Sequence, residues 1–271
     1  MPTLEGAGVH LKRACGPAEA PLLDPFLLLD DFHSRNPADY VAGFPWHPHR
    51  GIETVTYMIS GTVEHGDSMG NRGSIQSGDV QWMTAGSGVV HQEMPQPHRG
   101  MFQGFQLWVN LPAKHKMMGP RYREVKAETI PAAVVRKGVD VKVIAGDMDG
   151  ARGPVGDLVV DVQYLDVNIS PGREFEHPID QGLTACAYVF EGDGQFGAGP
   201  EGSAGAEQLV IFKDGPGVRV KGGKEGVRFL LVSGPPLREP IAWRGPIVMN
   251  TQRELDIAFE EYWKGTFLRA R

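Results

Sequence analysis

Two triplets carry the side chains best suited to chemistry, His47-Pro48-His49 and His91-Gln92-Glu93. Each places two metal-capable groups two residues apart. On an extended strand, residues i and i+2 project from the same face, so two such strands side by side would aim three imidazoles and a carboxylate at one point. Nitrogen and oxygen donors of this kind suit a divalent transition ion, and four of them leave two positions of an octahedron open. The identity of the carboxylate is undecided by pattern. Continued alternation from His47 and His49 puts Gly51 and Glu53 on their face, whereas Pro48 marks an edge-like segment in which a bulge shifts the parity. Both Glu53 and Glu93 therefore stand as the fourth ligand on geometry alone.

The remaining candidates carry weaker signals. Of nine histidines, His10, His33, His98 and His115 fall near predicted loops or ends and read as solvated or hydrogen-bonded side chains. His65 follows a predicted strand close to Asp67, which points to a turn hydrogen bond ahead of a place at a pocket mouth. His177 is the second half's one histidine, so that half cannot rebuild the constellation. Phe44 and Trp46 precede the first triplet and Met94 follows the second. These three are the rim candidates for an apolar pocket, with ordinary barrel packing as the competing role, and Tyr57 and Trp82 have the same standing. Cys15 and Cys186 belong to no CxxC pair and read as free thiols in a reducing cytosol.

The elements that must position these residues are strands. A chain of 271 residues and 29.5 kDa can bury a substantial core in one or two domains. Its 36 glycines and 21 prolines are scattered, which favours many short strands joined by turns over a helical bundle. Residues 52–59 are rich in β-branched and aromatic types and end at the turn signal Ser60-Gly61. Phe105, Leu107, Val109 and Leu111 alternate with Gln106, Trp108 and Asn110, which predicts a strand whose odd-numbered residues line a barrel interior. The segment 113–131 is polar and reads as the crossing between halves. Strand-like runs return at 141–144, 158–169, 185–190, 209–212 and 228–232, in an order that echoes the first half. Thr251 and Glu254 form a capping-box pattern opening a helix whose apolar face is Leu255, Ala258, Phe259, Tyr262 and Trp263, with Gly265 placed to stop it. The predicted division is a metal-binding barrel over 1–130 and a second barrel plus C-terminal helix over 131–271.

These residues also carry a resemblance. His47-x-His49-x3-Glu53 followed by Gly61 looks like a first cupin motif, and Gly78 with Gly88-x2-His91 looks like a relaxed second one. The segments 24–30 (DPFLLLD), 44–51 (FPWHPHRG), 53–57 (ETVTY), 78–86 (GDVQWMTAG), 107–111 (LWVNL), 236–240 (PLREP) and 245–250 (GPIVMN) resemble the pirin family, and the likeness spans nearly the whole chain. It implies an all-β bicupin of two tandem jelly-roll-type barrels, with one metal in the N-terminal barrel. It implies His47, His49, His91 and Glu93 as ligands, leaving Glu53 a supporting role. It further implies a quercetin 2,3-dioxygenase type of activity on a flavonol-like aromatic and O2, with Glu93 as ligand and proton acceptor. Iron(II) is the expected metal, with copper, manganese, nickel, cobalt and zinc compatible with the same donors. The alternative the family implies is a redox-sensitive regulatory protein acting on a transcription factor or a metabolic enzyme.

Composition bounds the rest. A net charge of −6 and no basic run leave no electrostatic footprint for direct nucleic-acid binding. No basic segment followed by an apolar stretch opens the sequence, and no window resembles a membrane span, so a cytoplasmic protein is expected.

Overall fold

The structure is a computed structural model that describes residues 1–269. Contacts divide it into two compact units. The first comprises Met1–Ala20, Phe26–Ala127 and the chain from Leu237 onward; the second comprises Pro21–Pro25 and Glu128–Pro236. The tail was expected with the second barrel and belongs instead to the first unit.

Up to residue 125 the chain forms β1 (Pro2–Glu5), β2 (Val9–Cys15), a one-turn α1 (Ala20–Leu23), β3 (Phe26–Ser34), β4 (Phe44–His49), β5 (Ile52–Ser60), β6 (Val63–Asp67), β7 (Arg72–Ile75), β8 (Val80–Thr84), β9 (Val89–Pro95), β10 (Phe102–Asn110) and β11 (Arg121–Val125). Seven of these make one antiparallel sheet in the order β1-β2-β3-β10-β5-β8-β11. Four make a second, β4-β9-β6-β7. The supposed crossing at 113–131 thus contains a strand of the first sheet.

The second unit holds β12 (Ala132–Arg136), β13 (Val139–Ala145), β14 (Asp147–Met148), β15 (Ala151–Arg152), β16 (Gln163–Ile169), β17 (Glu174–Pro178), β18 (Thr184–Phe196), β19 (Ser203–Gly205), β20 (Gln208–Ile211) and β21 (Gly217–Gly234). Its hydrophobic core runs from Val139 to Leu231. His177 Nε2 there donates to the Gln163 amide oxygen at 2.6 Å, and its ring stacks on Phe175. The all-β, two-barrel architecture is as expected.

One alternation inverts. On β10, Phe105, Leu107 and Val109 are fully buried but face away from the first unit's cavity, and Gln106 and Trp108 face into it. Period-2 patterning locates the core face only when the other face meets water, and here both faces of β10 are covered.

The tail, β22 (Ala242–Arg244), β23 (Ile247–Met249) and α2 (Gln252–Trp263), closes the first unit. The capping box is formed: Thr251 Oγ1 accepts from the Glu254 N–H, and Glu254 accepts from the Thr251 N–H at 2.9 Å. Gly265 ends the helix at φ +73°. Leu255 and Ala258 pack on Ile247, Met249 and Phe267, whereas Trp263, expected on the apolar face, is 77% exposed.

Arg50 pins this tail. Its guanidinium donates to the Ser87 and Phe267 carbonyls at 2.7 and 2.9 Å, pairs with Glu261 at 2.7 Å, and lies 4.2 Å over the Phe267 ring. Removing one partner of a buried hydrogen-bonded charge costs about 3–5 kcal/mol. Arg50→Ala should therefore lower the thermal midpoint by on the order of 10 °C, and Arg50→Lys by less, since an ammonium keeps the charge without the fork. Scanning calorimetry measures both; equal midpoints for wild type and Arg50→Ala would remove the pin.

Candidate metal centre

β4 and β9 are antiparallel neighbours, with His47 opposite His91 and His49 opposite Val89. The register shifts between Phe44 and His47, ahead of the first ligand, and the pairing at Pro48 itself is regular, so the bulge expected at Pro48 is not there. On β9 the burial alternates, with His91 and Glu93 inside and Gln92 and Met94 less covered. His47, His49 and His91 converge: their donor nitrogens all lie within 4.8 Å of one another. Their ring centroids are 4.4 to 5.0 Å apart.

The tautomers follow from the partners. His49 Nδ1 sits 3.1 Å from the Pro246 carbonyl and His47 Nδ1 2.9 Å from the Pro45 carbonyl. A carbonyl only accepts, so both Nδ1 atoms carry hydrogen, and with both rings neutral both Nε2 atoms carry lone pairs. Those two Nε2 atoms face each other at 3.0 Å. Buried His91 Nε2 has no hydrogen-bond partner. Opposed lone pairs beside an orphaned imidazole nitrogen are what a divalent cation satisfies, with each outer N–H anchored to a carbonyl. The donor set fits a metal.

Glu93 stands at the edge of this cluster. Its Oε2 lies 4.0 Å from His91 Nε2 and accepts from Gln106 Nε2 at 3.0 Å. Thr56 Oγ1 donates to Oε1 at 2.9 Å. Trp108 Nε1 donates to Gln106 Oε1 at 3.0 Å, fixing which end of the amide meets the carboxylate, and its ring meets His49 edge-on. Glu53 is elsewhere. Gly51, at φ +79°, turns the chain out of β4 into the other sheet, and a side chain there would strike the Val248 carbonyl. That turn resets the parity, so Glu53 shares the Val55 and Tyr57 face of β5, opposite the Thr56 face that holds Glu93. Fully buried, it accepts from Thr84 at 2.5 Å.

His47 and His49 open on a cavity of about 660 Å³ whose walls include Leu28, Phe32, Phe44, Trp108 and Trp243. That volume is in the range of small-molecule sites. Of the three rim candidates only Phe44 lines it. Trp46 is 48% exposed, because it alternates with the inward His47. Met94 alternates with Glu93 and covers the Gly43 backbone. Tyr57 and Trp82 are fully buried away from the histidines. His65 makes no turn bond; it lies opposite Glu93 on β6 and meets the Tyr122 hydroxyl at 2.8 Å. Thr56, Gln106, Trp108 and Pro246 were missed. Gln106 and Trp108 had a signal, since they alternate as one face of β10; Pro246 is 197 residues from its partner and had none.

Residues 8–109 match the pirin family model, and residues 164–268 match the model of the pirin C-terminal cupin domain. The chain belongs to the pirin family. A pirin-like protein of Caulobacter vibrioides is 44% identical over 98% of this chain and 96% of its own length. Human pirin is 39% identical, covering 98% and 91%. A crystal structure of quercetin 2,3-dioxygenase from Acinetobacter baumannii superposes with a TM-score of 0.90 at 34% identity, covering 98% of this chain and 94% of that one. Among the described residues no helix is long and apolar enough to cross a membrane.

Burial, followed by the neighbouring imidazoles, holds His49 and His91 well below the ordinary histidine value of 6.5. The unfolded chain protonates these residues near 6.5 while the folded pirin keeps them neutral, so the unfolded state binds more protons as pH falls. Metal-free protein should be at full stability above about pH 7.5 and lose up to about 1.4 kcal/mol per histidine for each pH unit below 6.5. Urea midpoints between pH 8 and 5.5 measure this, and a flat profile would contradict it.

Proposed function

We propose that this pirin is a metal-dependent dioxygenase that opens a flavonol-type aromatic with O2. The reading rests above all on the facing His47 and His49 lone pairs at 3.0 Å beside an apolar cavity. The A. baumannii quercetin 2,3-dioxygenase, alike over the full chain, supports the activity class. His47, His49 and His91 would hold the metal, with Glu93 beside them as the carboxylate. Iron(II) is the metal proposed. When bound, it supplies a Lewis-acidic position for an anionic oxygen of the substrate and a redox partner for O2.

The chain's own residues do the rest. Phe44, Trp108 and Trp243 bound a slot for a planar ring system, and Trp108 and Trp243 lie 5.8 Å apart, centroid to centroid. These rings keep water from the reacting face, which strengthens the electrostatic interactions inside. Glu93 takes the proton of the substrate's 3-hydroxyl at Oε2. Gln106 and Thr56 hold that carboxylate in place. Glu93→Gln removes the proton acceptor at nearly constant shape; His47→Ala removes a donor nitrogen.

Iron(II)-loaded protein given quercetin should consume O2 with loss of the flavonol absorbance, and each substitution should reduce kcat/KM by roughly 10²-fold or more. An oxygen electrode and elemental analysis read the outcome. Flavonol turnover that persists in His47→Ala, or no O2 uptake by loaded wild type, would sink the reading.

A further inference from the structure

The interior face of the seven-stranded sheet carries one polar row in strict register. Arg13 on β2 pairs with Asp30 on β3, Asp30 with Gln106 on β10, Gln106 with Thr56 on β5, and Thr56 with Gln81 on β8. Two residues away on one side the row reads Phe32, Gly104, Met58; on the other it reads Leu28, Trp108, Thr54, Met83. A line of hydrogen-bonding groups between largely apolar rows is not what barrel packing asks for. Its middle, Gln106, bonds Glu93 at the histidine end. Its outer members, Arg13 and Asp30, line the same cavity as His47 and His49. Strands lie about 4.8 Å apart, so Asp30 is roughly 10 Å across the sheet from Thr56, comparable with the long dimension of a fused aromatic ring system.

The outer end is built and charged. Arg13 donates to both oxygens of Asp30 at 2.8 Å, and its Nη2 lies 2.9 Å from Glu5. Asp30 is 6% exposed. One guanidinium thus faces two carboxylates, and its charge is already engaged. A carboxylate offers about four acceptor positions, of which Arg13 uses two on Asp30. Of the charged groups that line the cavity here two are carboxylates and one is a guanidinium, which leaves acceptor capacity and one excess negative charge at the wall.

We propose that Asp30, held by Arg13, is the specificity-determining residue of this cavity: it accepts hydrogen bonds from hydroxyl groups on the part of an aromatic substrate remote from the histidines, and with Glu5 it turns away carboxylates. The inference rests on the reading that the cavity takes a planar aromatic. It adds which end of that aromatic is inspected, and for what. Hydrogen bonds to an ionised acceptor are the strong kind, and a buried acceptor met by a bare C–H edge loses its solvation without return.

The test is a binding series on full-length protein loaded with zinc, which blocks turnover, read by quenching of tryptophan fluorescence. Three flavonols suffice: one with two hydroxyls on the pendant ring, one with an unsubstituted pendant ring, and one with a carboxylate there. Wild type should bind the dihydroxylated compound at least tenfold more tightly than the unsubstituted one, and the carboxylated compound at least tenfold more weakly. In Asp30→Asn, checked by circular dichroism, the first ratio should fall below threefold. Equal affinities in wild type overturn the proposal without needing any variant, as does an undiminished ratio in folded Asp30→Asn. Binding without discrimination leaves the aromatic reading standing and sinks only this inference; failure of all three ligands to bind sinks both.

Discussion

Two imidazole lone pairs pressed together repel each other unless a cation or a proton lies between them or the rings are free to turn away. In this protein the rings are not free. His47 is tied to the carbonyl of Pro45 and His49 to that of Pro246, so each Nε2 stays aimed at its neighbour. Much of the first unit serves that constraint. The β4–β9 register brings His91 opposite His47, Trp108 stands edge-on to His49, and the tail supplies the Pro246 carbonyl.

The tail's place in the first unit then has a chemical meaning. Arg50 follows His49 directly, and its side chain is fastened to Ser87, Glu261 and Phe267. A parallel bridge joins Arg50 to Ile247, and the Lys116 ammonium reaches the carbonyls of Gly51 and Val248 and the Asn110 side chain at 2.6 to 3.0 Å. Burial pushes the Lys116 amine down to about 7, yet three acceptors match the three donors of the charged form. The segment around His49 is therefore held from several directions by residues far away in sequence. Precision at a donor nitrogen requires that kind of support, because a side chain is no better placed than the backbone beneath it.

The two units divide the work by composition. The first buries carboxylates, imidazoles and amides in its interior and links several polar groups in one connected set, from Trp108 through Gln106 and Glu93 to Thr56. The second fills the equivalent space with Val, Ile, Leu and Phe, and its one histidine is absorbed by Gln163 and Phe175. A polar interior is costly unless fully paired, so a barrel that keeps one has a use for it.

Much of this was legible in the residues alone. The i, i+2 spacing of His47 with His49 and of His91 with Glu93 is a local property of extended chain, and it carried through to the convergence of the imidazoles. The capping box at Thr251 and the stop at Gly265 are equally local. What tertiary structure alone decided has a common physical cause: alternation names two faces of a strand without saying what covers either. It therefore misassigned β10, where Gln106 and Trp108 face the cavity and both faces are buried, and it carried Glu53 onto the histidine face across a turn at Gly51 that breaks the count. It could not separate Phe44 from Trp46 and Met94 as cavity walls, nor attach Pro246 to His49, because contacts across 197 residues leave no period in a sequence.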